Sequence, residues 1–256
     1  MRKSLIWPTG AEVRQIEIRG GAMLYDTSKA GNAAANWFDP GWWARRGQVR
    51  EAPEGRGSTL FIDADDRQLV LRHYRRGGWA ARLFSDRYWW QAESLTRSFV
   101  EWHMLYVMRR AGLAVPRPIA ACYRRTGRYS YCADLLTERI PEVSSLAARL
   151  QAGALPLSHW IALGKALRRF HKDGVFHADL NAHNVLISDE REVWLVDFDR
   201  GRLRKPGLWC DSNIVRLRRS IEKIADPLPP EHFSEADWAS LLSGYFVKAR
   251  RRAEAA

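Results

Sequence analysis

The stretch VFHADLNAHNVLIS, Val175–Ser188, sets two histidines, two asparagines and an aspartate inside a run that begins and ends apolar. A metal site, a capped turn within a core and the working loop of an enzyme all fit that composition. Spacing narrows the choice. His177, Asp179, Leu180 and Asn184 make the pattern H-x-D-L-x-x-x-N, and thirteen residues after Asn184 comes Asp197-Phe198-Asp199. Two short β-prone runs, NVLIS and VWLVDFD, lie between and around these residues. A hairpin over VLISDEREVWLVD would bring Asn184 and Asp197 to the same end. Zinc on His177, Asp179 and His183 is one alternative, but oxygen ligands for magnesium suit the whole set better.

Bulk composition bounds what can surround this stretch. At 256 residues and 46% apolar, the chain can bury a good core as one large domain or two lobes. Its formal charge of +12 is almost all arginine, since only seven lysines occur and none lies between Lys29 and Lys165. So basic a chain suits something anionic: nucleic acid, a membrane surface or phosphorylated substrates. Cys122, Cys132 and Cys210 form no CxxC and no ligand-like spacing, which argues against structural zinc and a disulfide framework. A reducing cytoplasm is the simplest home. The opening MRKSLIWPTG ends its apolar run at Trp7-Pro8, too short for a signal-peptide core. No stretch approaches the about eighteen apolar residues of a spanning helix. A soluble or peripheral protein is expected.

Along the chain, STLFI and QLVLRHY read as strands joined by the turn signal DADD. DRYWWQAESLTRSFVEWHMLYVMRRAG reads as helical with a break near Thr96, a broad apolar stripe in which Phe99, His103 and Tyr106 alternate with Val100, Met104 and Val107, and Gly112 as its stop. VPRPIAACYRR and RYSYCADLLTERI read as two strands around a Thr126-Gly127 turn. PLSHWIALGKALRRFHKDG reads as a helix from a Ser158 N-cap to a Gly174 C-cap. DSNIVRLRRSIEKI puts Ile214, Leu217, Ile221 and Ile224 on one helical face. The first fifty residues show no clear period. Strands lead, helices follow, and the polar motif sits at their junction, an α+β layout.

H-x-D-L-x-x-x-N followed by Asp197-Phe198-Asp199 resembles the catalytic loop and metal-binding segment of the protein-kinase-like fold. In that chemistry an aspartate orients the attacking hydroxyl and accepts its proton, the place of Asp179. Magnesium ions that neutralise the phosphates need oxygen ligands, here the Asn184 side chain and the Asp197 carboxylate. The upstream parts follow in order. EGRGST offers Gly55, Gly57 and Ser58 as a phosphate-covering turn, LVLR puts Arg72 where the family's lysine stands, and Glu101 in SFVEWHMLYVM is its glutamate partner. LTERIP would be the linker between lobes, with backbone groups near Glu138 and Ile140 binding adenine.

The resemblance narrows further. GRGST, VLRHYRRGG, DRYWW, VPRPIAA, TERI, FHADLNAHNVLI, DFDRGRLR and NIVRLRRSIEK together look like bacterial 3-deoxy-D-manno-octulosonic acid (Kdo) kinases, within the lipopolysaccharide-core kinase group that also holds heptose kinases. It runs from about Gly55 to about Lys223. What it implies is ATP-dependent, magnesium-assisted phosphorylation of a Kdo hydroxyl, the 4-hydroxyl, on a Kdo-lipid A precursor. The place implied is the cytoplasmic face of the bacterial inner membrane, with the protein peripheral to an anionic surface and no nucleic-acid partner. The chain would be one kinase-like domain, residues 1–256: a small β-rich N-lobe over 1–136, a hinge at 137–141 and a mainly helical C-lobe over 142–256.

Departures from the pattern bear on substrate. Arg72 is a planar fork rather than a point charge, though it can pair with both phosphate and Glu101. Asn181 stands where protein kinases often have lysine. No A-P-E segment follows Asp199, and RGRLRKPG leads straight to the next helix, which argues for a small-molecule or glycolipid acceptor. An inner-core heptose, an aminoglycoside-like antibiotic or a protein hydroxyl are rivals within the fold. A catalytically dead scaffold that binds nucleic acid is a rival outside it. His177 reads as structural, and Asp199 as either a cap or a support to a second magnesium. RHYRRGGWAARLFSDRYWW interleaves arginine and tryptophan, which suits bases, lipid phosphates or simple packing over the small-lobe core. The tail KARRR, Lys248 to Arg252, reads as solvated or as a weak electrostatic anchor.

Overall fold

The computed structural model describes residues 12–31, 33–50, 59–64, 67–75 and 86–247. Gly55, Gly57 and Ser58, the Asp65-Asp66 part of the DADD turn, residues 76–85 of the arginine–tryptophan run and the basic tail lie outside them. The chain divides into two compact units, Met1–Pro141 and Glu142–Ala256.

In the first unit the strands are β1 (Val13–Ile18), β2 (Gly21–Asp26), β3 (Val49–Arg50), β4 (Thr59–Ala64), β5 (Arg67–His73), β6 (Tyr88–Trp89), β7 (Pro118–Gly127) and β8 (Ser130–Glu138). They form one antiparallel sheet in the order β1-β2-β7-β8-β5-β4-β3, with β6 also paired to β8. Helices α1 (Thr27–Ala30) and α2 (Pro40–Arg45) come from the segment without a readable period. Its aromatics supply the reason for that segment's fold. Phe38 and Trp43 are buried against Met23, Ile62, Leu71 and Leu136, so tryptophan packing rather than periodicity organises it.

α3 (Arg97–Arg110) starts later than the sequence suggests. Upstream of it, Tyr88 lies opposite Tyr131 across a strand pair, their rings 5.8 Å apart, and a single 3-10 turn at Glu93–Leu95 follows. Thr96 is extended, with ψ 140°, and its hydroxyl donates to the Glu93 carbonyl. Strand pairing with β8 therefore overrides the helical pattern of DRYWW. Within α3, Phe99, His103, Met104 and Tyr106 are buried and Val100 and Val107 half-buried, as the broad stripe requires, and Trp102 and Met108 are buried with them. The β7–β8 turn is at Arg128-Tyr129 rather than Thr126-Gly127, because an irregularity between Arg125 and Gly127 shifts the register and β7 runs two residues further, to Gly127.

The second unit holds β9 (Val143–Ser145), α4 (Leu146–Ala152), α5 (Leu157–Lys172), β10 (Val175–Phe176), β11 (Val185–Ser188), β12 (Val193–Leu195), β13 (Arg202–Leu203), α6 (Trp209–Ala225) and α7 (Glu235–Phe246). α5 is capped at Pro156, not Ser158, which falls in the first turn, while Gly174 with φ +78° turns the chain out of it. α5 and α7 pack at backbone contact. A Cβ on Gly164 would stand 2.0 Å from the Leu241 carbonyl oxygen, and one on Gly244 would stand 2.2 Å from that of Ile161. Only glycine permits so close an approach. On α6, Ile214, Leu217 and Ile221 are buried and Ile224 half-buried, as the sequence spacing requires. No helix among the described residues is long and apolar enough to cross a membrane.

Candidate active site

β10 pairs with β13 and delivers the chain to His177, which is buried and locked on every side. Its backbone N–H donates to Asn213 Oδ1 at 3.3 Å and its carbonyl accepts from Asn213 Nδ2 at 2.9 Å. Ring Nε2 lies 2.9 Å from the Val196 carbonyl, and Nδ1 accepts the Asp179 N–H at 3.2 Å. Those partners require a proton on Nε2 and a lone pair on Nδ1, so the ring is neutral, and burial pushes its pKa down. The ring also lies 4.8 Å from that of Phe198, tilted by 51°. With both nitrogens engaged, His177 holds the loop to the strand leading to Asp197 and is no zinc ligand. Among the described residues no three His, Cys, Asp or Glu side chains gather as a metal site.

Asp179 emerges from this anchor into solvent, its side chain 63% exposed. Oδ2 accepts from Asn181 Nδ2 at 3.0 Å and Oδ1 from Arg216 Nη1 at 3.2 Å. A carboxylate has about four lone-pair positions, so two contacts aim it and leave room for an incoming hydroxyl. Leu180 and Ala182 alternate with these polar residues and are fully buried, pinning the loop from below. Asn181 Oδ1 accepts the N–H groups of His183 and Asn184 at 2.9 and 3.2 Å, an Asx turn that sets the loop's curvature. Asn181 is thus a structural brace. His183 is exposed.

Asn184 closes the loop. Its Nδ2 donates to the Asp179 carbonyl at 2.9 Å, which turns the carboxamide oxygen the other way. The β11–β12 register, Val185 opposite Leu195, sets Asn184 opposite Val196, whose N–H donates to the Asn184 carbonyl at 3.0 Å. Asp197 is therefore one residue beyond the position facing Asn184. It is exposed and held at φ +63°, a conformation in which the chain turns sharply as Phe198 plunges into the core at 1% exposure. An asparagine oxygen and a carboxylate at one hairpin end fit a magnesium ion that takes most of its remaining ligands from phosphate and water.

Three residues of this site are not singled out by the loop's own spacing. Asn213, Arg216 and Ser220 lie at i, i+3 and i+7 on α6 and hold His177, Asp179 and the Ala182 N–H in turn, the last at 3.1 Å. The signal was present as a polar row at helical spacing in NIVRLRRSIEK, one residue ahead of the apolar row and so beside it on the helix.

In the first unit Arg72, on β5, pairs with Glu101, on α3. Glu101 is buried at 3% exposure and also accepts the Tyr74 hydroxyl at 2.6 Å, while the Arg72 guanidinium lies 4.5 Å from the centre of the Tyr74 ring. Stacking and pairing together fix a planar fork that a lysine could not reproduce. Tyr74, two residues after Arg72, is a further member that motif reasoning missed. Glu138 ends β8. Its side chain pairs with Arg117 at 3.0 Å and its N–H donates to the Arg117 carbonyl at 2.9 Å; Ile140 follows half-buried.

A model of the lipopolysaccharide kinase (Kdo/WaaP) family matches residues 40–245. A protein of Xylella fastidiosa strain M12 is 44% identical over 208 residues, covering 80% of this chain and 82% of its own. One of Vibrio vulnificus strain CMCP6 is 37% identical over 235 residues, covering 91% and 98%. One of Xanthomonas axonopodis pv. citri strain 306 is 42% identical over 226 residues, covering 88% and 89%. Each is named 3-deoxy-D-manno-octulosonic acid kinase. Among solved structures, that of WaaP in complex with acyl carrier protein resembles this chain with a TM-score of 0.52 at 18% identity, covering 78% of both chains. The kinase-like α+β fold that the resemblance implies is the fold this chain has. The chain belongs to the lipopolysaccharide kinase (Kdo/WaaP) family and is a phosphotransferase acting on a hydroxyl.

Proposed function

We propose that this protein transfers the γ-phosphate of ATP to the 4-hydroxyl of Kdo on a lipid A precursor during assembly of the lipopolysaccharide inner core. The observation that carries the reading is the Asp179–Asn184 loop. There an exposed carboxylate is aimed by two hydrogen bonds, and an asparagine donates its nitrogen to the Asp179 carbonyl while turning its oxygen outward. Relatives 37–44% identical over most of their length bear the name of the reaction. Asp179 would orient the sugar hydroxyl and take its proton. Asn184 and Asp197 would hold magnesium, which neutralises the phosphate oxygens as charge redistributes. Arg72, steadied by Glu101 and Tyr74, would grip the ATP phosphates, with Gly55, Gly57 and Ser58 covering them. Because the Glu138 N–H is committed to the Arg117 carbonyl, the adenine contacts fall to the Glu138 carbonyl and the Ile140 N–H.

The whole chain would act as one kinase-like domain with its hinge at 137–141. A peripheral position on the cytoplasmic face of the inner membrane follows from the substrate. The charge of +12 supports it, as does exposed Trp89, stacked 5.5 Å from Tyr129 with the Arg128 guanidinium 5.3 Å from the Tyr129 ring. The test is transfer of labelled γ-phosphate from Mg-ATP to a Kdo-bearing lipid A precursor and to the same lipid without Kdo, with the phosphorylated carbon located by NMR. Label on the Kdo lipid alone, at the 4-position, is expected. Equal labelling of both lipids would sink the acceptor assignment.

A further inference from the structure

An open hollow of about 750 Å³ lies directly beside Asp179 within the second unit. Asp179 and Asn181 form one side of it, and the face of α6 that carries Ser212, Arg216, Arg219 and Lys223 forms another. Its size falls in the range of about 300–1,000 Å³ usual for small-molecule sites. A molecule lying in it would be in contact with the Asp179 carboxylate.

The hollow-facing side of α6 carries Asp211 in its first turn and Arg216, Arg219 and Lys223 further along, with Asp211 two turns before Arg219. Arg218 points away from the hollow and is neutralised twice, by Glu222 at 2.6 Å and Glu235 at 2.5 Å. Arg216, in the hollow, is paired with Asp179. Arg219 and Lys223 also line the hollow, both are exposed, and neither has a hydrogen-bonding or ion-pairing partner among the described residues. They stand at i and i+4, one helical turn apart, where like charges oppose each other. The helix thus keeps two adjacent cations unneutralised on the one face that meets the loop. An anion seated between them would relieve their repulsion and gain charge-assisted hydrogen bonds from both.

We propose that this hollow is the acceptor-sugar subsite, and that Arg219 and Lys223 bind the carboxylate of the sugar whose hydroxyl is presented to Asp179. The inference rests on the acceptor reading above and deepens it, for the carboxylate is what distinguishes an acidic sugar from a neutral heptose. Ser212 on the wall donates its hydroxyl to the Leu208 carbonyl and keeps its oxygen to accept from a ring hydroxyl. Arg216 positions Asp179, and Arg219 and Lys223 select the substrate.

The experiment uses the full-length protein and a deacylated, soluble acceptor glycan in two forms, the native acid and its carboxamide. Initial rates are measured for wild type and for the double variant R219Q/K223Q, with ATP and acceptor varied separately. Wild type is expected to favour the acid in kcat/KM by about tenfold or more, as loss of a charged partner implies. The double variant should show a raised KM for the acid, an unchanged KM for ATP and no preference between acid and amide. An unchanged acceptor KM, a preference for the acid that survives in the variant, or a rise in the KM for ATP instead would each overturn the assignment. A wild type that phosphorylates neither form overturns the acceptor reading itself, and this inference with it.

Discussion

Asn213 makes two hydrogen bonds to the backbone of His177, one through its amide nitrogen and one through its oxygen, both buried. His177 in turn ties the Asp179 N–H to the Val196 carbonyl. A single α6 side chain therefore fixes the approach of the loop without touching any reacting atom. Asn213→Ala would leave a buried N–H and a buried carbonyl without partners, a loss of about 1–3 kcal/mol. The expected outcome is lower stability in denaturant melts together with a fall in kcat larger than any change in the KM for ATP. Asp179, Asn184 and Asp197 were legible in the sequence because one continuous loop and hairpin present them at fixed offsets. Asn213, Arg216 and Tyr74 were not legible as site residues, since each meets the site only through folding, and a polar residue on a helix face has many uses. Arg72 and Glu101 were found by order along the chain, and the structure brings them together with Tyr74 as a third partner.

Among the elements, α5 and α6 were readable from period and from Gly174, and β4, β5, β7 and β8 from apolar runs bounded by turn residues. α7 carried a signal that periodicity alone does not score, the Ser234–Asp237 capping box. Its interior Gly244 lowers helix propensity, and its reason for being there is visible only against α5. Gly164→Ala is the direct test of that contact. The added methyl would meet the Leu241 carbonyl at 2.0 Å, so α5 and α7 must separate, at a cost of roughly 1–3 kcal/mol or more. Urea unfolding of the variant should show a lower midpoint with no new partner lost. A midpoint equal to wild type would mean that the helices do not approach so closely. DRYWW illustrates the opposite failure: its helical pattern is real, but Tyr88 gains more from lying across β8 beside Tyr131.

At the scale of the whole chain, the two units respond to acid differently. In the second unit burial lowers the pKa of His171 to about 4 and that of His177 as well. As pH falls below 6.5 the unfolded chain takes up protons that these folded histidines refuse, so stability is lost progressively down to about pH 4. The first unit contains His103, lowered by burial to about 4 in the same sense. It also contains His73, raised by its hydrogen bond to Asp134. That pair contributes stability that is full below pH 6.5 and fades as pH rises through the raised value, so it offsets part of the acid loss. Hydrogen exchange followed by segment, between pH 7 and 5, should therefore show protection falling more in α5 than in α3. Two units could be anticipated from strands leading and helices following, and the sign of charge from composition. The tryptophan packing of residues 35–45 could not, because no period connects Phe38 and Trp43 to the strands they meet.

The most direct measurement is the initial rate of γ-phosphate transfer from Mg-ATP to the Kdo acceptor by wild type and by Asp179→Asn. The side chain is 63% exposed and its pairing with Arg216 is worth no more than about 1 kcal/mol, so the variant should fold as wild type does. With Asp179 in the proposed role of orienting the hydroxyl and accepting its proton, loss of the carboxylate should lower kcat by about a hundredfold or more while leaving ATP binding in place. A folded Asp179→Asn protein that transfers phosphate at the wild-type rate would contradict the assignment of the loop.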